Sequence, residues 1–179
     1  MCCVILAGRR LVANFYVGYV YNVFLFFLLM AQGLYAVMAI QIIALSINGL
    51  GHYRWTHPRE NEKDGKGTLA VTRLSPGERM LYCAFTLAVA AAVFLILSRT
   101  DDPRPALDSI CTAMILLAQW LSAQKKLECW IVWMIVNVLN LVLYLSSGLI
   151  FMPIVSALYL ANGIWSFVSW KKNERNIED

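Results

Sequence analysis

Two stretches of the chain, Leu11 to Gly51 and Cys129 to Trp170, run 41 and 42 residues without Asp, Glu, Lys, Arg or His. A helix needs roughly 20 apolar residues to cross about 30 Å of hydrocarbon, so each tract is long enough to cross twice and must fold back as a helical hairpin. Turn signals mark the folds: Gln32-Gly33 in the first tract, and Ser146-Ser147-Gly148 with Pro153 just beyond in the second. Met80 to Ser98 is a further uncharged run of 19 residues, and Ser109 to Gln124 one of 16. The pattern predicts an all-α polytopic integral membrane bundle of six spans. The runs are continuous, unlike the roughly 10-residue alternating segments of a transmembrane barrel.

Charge placement supports this count, because Lys and Arg collect in cytoplasmic loops during insertion. With six spans, 13 of the 15 basic residues fall on one side: Arg9, Arg10, the six between Arg54 and Arg79, Lys125, Lys126, Lys171, Lys172 and Arg175. The other side holds Arg99 and Arg104, diluted by Asp101 and Asp102. Both termini are therefore expected in the cytoplasm. The net charge of +4 is a topology signal, with no basic patch that would suit nucleic acid. Thr56 to Gly77, with Lys63, Gly65, Lys66 and Gly67, reads as a flexible hydrophilic linker. The five cysteines have no metal or redox spacing, and His52 and His57 are isolated. No metal, cofactor or catalytic constellation is expected, and an enzyme is disfavoured.

The two tracts are alike. Arg9-Arg10, Asn22, Gly33 and Asn48-Gly49 parallel Lys125-Lys126, Asn137, Gly148 and Asn162-Gly163, with eleven residues from Asn to Gly in each copy and fifteen or fourteen to the Asn-Gly pair. Both copies start at the basic side, which makes them parallel repeats about an axis along the membrane normal, as in several small carriers. Met80 to Ser98 supplies the extra crossing that equal orientation demands. The second repeat has three helices and the first has two, so the plan reads as 2+1+3, with residues 1 to 8 as the remnant of the end of a further helix. The expected units are residues 1–57 (first repeat), 58–78 (cytoplasmic linker loop), 79–99 (linker helix), 106–172 (second repeat) and 173–179 (tail).

Amide and indole side chains within hydrocarbon need partners and tend to face a bundle interior or a cavity. Trp130, Trp133, Asn137, Asn140 and Tyr144 are linked by helical spacings and share a face, and Gln41, Asn48 and Trp55 recur every seven residues. Trp130, Trp133, Asn137, Gln41, Asn48, Asn22 and Tyr144 are the candidate substrate-binding residues. Trp55, Trp120, Trp165 and Trp170, near helix ends, read mainly as interfacial anchors. Aromatic rings with uncharged amides suit a neutral or cationic flat ring carrying hydroxyls, such as a nucleoside-like vitamin. No Asp, Glu, Lys, Arg or His lies near the middle of a span and no phosphate-binding loop precedes a Lys-Ser or Lys-Thr, which leaves facilitated diffusion.

Asp108-Ser109, Gln119-Trp120-Leu121, Lys125, Leu127-Glu128, Trp130-Ile131-Val132-Trp133 and Asn137, with Asn22, Gln32, Tyr35, Gln41, Asn48 and Trp55, resemble the PnuC family of nicotinamide riboside transporters. The resemblance implies a 3+1+3 plan similar to that of the SWEET sugar facilitators, a bacterial inner-membrane location, a homotrimer, and uptake of nicotinamide riboside or a related vitamin such as thiamine or riboflavin, retained by phosphorylation. It implies substrate contacts at Trp133 and Asn137 above all, in a WxxxN element. The chain departs from it at Cys129, where the family usually has Asn, at Gly18, opposite Trp133 in the repeat, and in its N-terminal length. A non-transporting membrane subunit without a complete substrate cage is the alternative that these departures raise.

Overall fold

The structure, a computed structural model, describes residues 2–31, 35–64, 67–100, 104–146, 151–172 and 174. Its helices are α1 (Cys2–Gly8), α2 (Ala13–Ala31), α3 (Tyr35–Thr56), α4 (Pro76–Leu97), α5 (Pro105–Ala123), α6 (Cys129–Ser146) and α7 (Phe151–Lys171), with one 3-10 turn at Glu60–Glu62. Helices α2 to α7 are 18 to 22 residues long, or about 27–33 Å, which matches a bilayer core. By length and composition α4, α5 and α7 qualify as spans over their described residues, and α2 and α6 carry shorter apolar stretches. Helix α2 ends at Ala31 and α3 starts at Tyr35, and α6 ends at Ser146 and α7 starts at Phe151. The turn residues Gln32, Gly33, Ser147 and Gly148 lie outside the described residues, as do Gly65 and Lys66.

The helices close into a ring. Going round it, α1 packs on α2, α2 on α3, α3 on α5, α5 on α6, α6 on α7, and α7 on α1. Helix α4 stands outside, has α5 as its one helix neighbour among the described residues and buries none of its own side chains, as suits a linker helix. Its start is encoded locally: Ser75 accepts from the Glu78 amide, Glu78 reaches back to the Ser75 amide, and Pro76 occupies the first turn. Among the described residues no backbone contact joins the facing pairs α1 and α5, α2 and α6, or α3 and α7.

A shift of 115 residues relates the two halves of the ring. Helices α1 and α5 end in the same Schellman turn. Arg10 N–H bonds to Ala7 O and Leu11 N–H to Leu6 O, as Lys125 N–H bonds to Ser122 O and Lys126 N–H to Leu121 O. At its hinge stands a non-glycine residue in the left-handed region, Arg10 at φ 60° and Lys125 at φ 56°. This register pairs Asn22 with Asn137 and Trp55 with Trp170. It sets Asn48 opposite Gly163, one residue away from the Asn-Gly pairing that the sequence suggests.

The linker between α3 and α4 corrects an expectation. Its first part turns sharply on Asp64 and Thr68, through Gly67 at φ 74°, and pairs Lys63 with Leu69. Leu69, Ala70, Val71 and Leu74 are then buried against the basic end of the ring, and Thr72 pairs with Lys126 and Val71 with Glu174. Apolar side chains at 69–71 and 74 drive this docking, so the segment is a strap across the bundle rather than a solvated loop.

Candidate functional site

All six ring helices send a side chain from their basic ends into one buried cluster, formed by Ala7, Phe15, Trp55, Leu121, Trp130 and Trp170 and capped by Leu69, Val71 and Leu74 of the strap. Four of its rings form a continuous chain. Phe15 meets Trp55 edge-on at 5.0 Å, Trp55 meets Trp170 at 5.9 Å, and Trp170 meets Trp130 edge-on at 5.4 Å. The outer members Phe15 and Trp130 are 115 residues apart, as are the inner members Trp55 and Trp170, so the chain of rings straddles the internal axis and plugs this end of the ring.

The indoles are also tied across the seams between repeats. Trp55 donates from Nε1 to Ser122 O at the end of α5, and Trp170 donates to Ala7 O and Gly8 O at the end of α1. Trp55 and Trp170 are therefore fully buried plug residues, and their expected role as interfacial anchors is corrected. Trp165 is exposed, as an anchor should be, while Trp120 is partly buried with its indole on the Tyr82 hydroxyl.

Of the seven sequence candidates, Trp130 belongs to the plug and is buried at 2% exposure. Trp133 packs on the same cluster one turn further out. Asn137 lies two turns beyond Trp130, about 10 Å along α6, and is partly buried. It donates to Trp133 O at 2.8 Å, as Asn22 donates to Gly18 O at 2.9 Å. Each amide thus anchors one N–H on its own helix and keeps its oxygen and second N–H for another partner. Asn48 donates to Phe15 O at 3.2 Å and packs over Gly18, where an added Cβ would lie 3.0 Å from its amide. In the second repeat the large and small residues exchange places: Trp133 stands where Gly18 does, and Gly163, under the Met134 side chain, stands where Asn48 does. Gln41 and Tyr144 are partly buried and further from the plug. Among the described residues the one side-chain hydrogen bond joining any two of the seven is that from the Asn137 amide to the Trp133 carbonyl.

Helical rotation on the sequence did not single out Phe15, Leu121, Trp170 or Lys125, although the 115-residue shift would have paired Phe15 with Trp130 and Trp170 with Trp55. Lys125 is fully buried with its Nζ 4.6 Å above the Trp55 ring. A half-open cavity of about 310 Å³ lies beside the plug, lined by Arg73, Arg79, Leu127, Glu128, Ile131 and Phe167 and by none of the seven candidates. There Glu174 bonds to the Arg73 guanidinium and raises its pKa above the ordinary value.

The family model described as nicotinamide mononucleotide transporter matches residues 1–172. The chain belongs to this family. Similar proteins include the nicotinamide riboside transporters PnuC of Haemophilus influenzae, at 21% identity over 95% of this chain and 74% of that protein, and of Escherichia coli, at 27% over 82% and 70%. The riboflavin/roseoflavin transporter RibM of Streptomyces davaonensis is 24% identical over 73% of this chain and 61% of its own. The crystal structure of the vitamin B3 transporter PnuC superposes with a TM-score of 0.71, covering 95% of this chain and 76% of its own at 19% identity, and so shares the fold. The chain is thus a multi-pass membrane transporter of the PnuC family, as its residues suggested.

Proposed function

We propose that the protein carries nicotinamide riboside across the membrane by facilitated diffusion, with its basic end in the cytoplasm and the four-ring plug as the cytoplasmic gate. The observation that carries this reading is the ring of six helices closed at one end by side chains that come in symmetric pairs. A path along the axis is blocked by Trp55 against Trp170, and rocking one repeat against the other separates these two first. Beyond the plug, Trp133 offers an aromatic face, and Asn22 and Asn137 offer amide groups to ribose hydroxyls and the nicotinamide amide.

The riboside is favoured over the mononucleotide by charge. A phosphate at bilayer depth needs a cation, and the spans from Leu11 to Gly51 and from Cys129 to Trp170 contain none. The absence of Asp, Glu, Lys, Arg and His from these spans also argues against proton coupling, so net uptake depends on consumption of the substrate inside the cell.

The test is uptake of labelled nicotinamide riboside into proteoliposomes. Saturable uptake reduced at least about tenfold by Asn137→Leu, the loss of roughly one hydrogen bond to the ligand, supports the reading. Uptake unchanged by that substitution removes Asn137 from the site, and competition by riboflavin rather than the riboside transfers the reading to the flavin.

A further inference from the structure

Lys125 is the first residue after the end of α5 to take the left-handed conformation, and its side chain enters the plug instead of leaving for water. The ammonium is 0% exposed, lies over the Trp55 ring, donates to Leu69 O, and donates to Thr68 Oγ1 at 3.1 Å, with a carboxylate oxygen of Asp64 3.7 Å away. Thr68 is itself held by Asp64, through its amide and its hydroxyl at 2.9 Å each. Apart from the Trp55 ring, every one of these partners belongs to the strap. The strap is in turn stitched to the seam between repeats, by Leu69 N–H on Trp55 O at 3.4 Å and by Thr72 with Lys125 and Leu127.

A charge removed from water is costly unless it is paired and hydrogen-bonded. The docked strap thus supplies hydrogen bonds and a carboxylate that let Lys125 sit in a closed, dry plug. Hydration of Lys125 favours opening, and the cradle from Asp64, Thr68 and Leu69 favours closure. Arg10, the counterpart at the first-repeat hinge, has its Nε buried with no hydrogen-bond partner among the described residues.

We propose that Lys125 and the strap form a charge latch on the plug, in which undocking of the strap converts a satisfied buried ammonium into a driving force for opening. Lys125 acts as a positioning residue here, through Trp55 and the strap, without touching substrate. The proposal deepens the gate reading given above and rests on it, but its test needs no substrate.

The reporter is native. Cys129 is fully buried in the plug cluster, so its alkylation rate by a water-soluble maleimide reads opening, in the full chain in nanodiscs with Cys2, Cys3, Cys83 and Cys111 replaced by Ser. Asp64→Asn and Thr68→Val, which weaken the cradle and keep the charge, are expected to speed labelling at least about fivefold. Lys125→Met stays within about twofold of the parent, and adding it to Asp64→Asn brings the rate back to about the parent value, because the charge that drove opening is gone. Lys125→Gln behaves as Lys125→Met. A mere staple between strap and bundle predicts the opposite non-additivity, with Lys125→Met and the double variant both labelling as fast as Asp64→Asn. That result, or no acceleration by Asp64→Asn and Thr68→Val, overturns the latch. A protein that labels as expected and carries no vitamin contradicts the transport reading alone.

Discussion

Trp55 and Trp170 stand 115 residues apart and meet with ring centroids at 5.9 Å, each donating its indole N–H to the end of the first helix of the opposite repeat. One contact thus joins both repeats at the axis and both seams beside it. Its symmetry gives the two tryptophans like places and like indole hydrogen bonds, with the Lys125 ammonium as an added contact on Trp55. Trp55→Ala and Trp170→Ala are each expected to destabilise the protein by about 3–5 kcal/mol, the range for a fully buried aromatic ring. Thermal unfolding in detergent checks this; a loss from one substitution several times that from the other breaks the equivalence.

Close helix approach at the seams makes a second prediction. A Cβ at Gly51 would lie 2.9 Å from Ala123 Cβ and from Phe15 Cε1, and a Cβ at Gly8 would collide with Ser166 Oγ. Gly51→Ala and Gly8→Ala should each cost about 1–3 kcal/mol by overpacking. Gly77→Ala, with nothing within 4 Å, should be neutral or stabilise the start of α4 by up to about 1 kcal/mol. Melting temperatures of the three variants give the comparison.

The two left-handed hinges are not interchangeable. Arg10→Gly relieves a conformation that costs an L-residue about 1–2 kcal/mol and should raise the melting temperature. Lys125→Gly relieves the same strain at φ 56° but removes the side chain from a full cradle, and should lower it. An equal rise in both would deny Lys125 its role.

Gly18 offers a test of the site's first-repeat wall. Gly18→Ala presses on the Asn48 amide at 3.0 Å, so the amide must yield from its bond to Phe15 O. The expected outcome is weaker riboside binding with only a small loss of stability, read by tryptophan quenching alongside a melt.

The helical membrane architecture was legible because bilayer thickness acts on sequence directly: charge-free length is a one-dimensional signal. The parallel repeat was legible for the same reason, apart from its last step, where matching Asn48-Gly49 to Asn162-Gly163 slipped one residue from the register of Trp55 and Trp170. The plug was hidden. A tryptophan near a helix end satisfies both a lipid interface and a helix seam, and what separates Trp170 from Trp165 is which neighbour the helix turns toward, a tertiary fact. Trp130 shares a face with Asn137 and is buried in the plug at the start of α6. The strap was hidden because Leu69, Val71 and Leu74 are sparse among charges, and their burial depends on a surface built by residues 50 positions away.

The most direct measurement is counterflow: proteoliposomes preloaded with unlabelled nicotinamide riboside, diluted into labelled riboside with no proton gradient and no ATP. Transient accumulation of label, abolished by Asn137→Leu and retained in Gly77→Ala, is what this account predicts. Absence of counterflow, or its appearance only when a proton gradient is imposed, would contradict it.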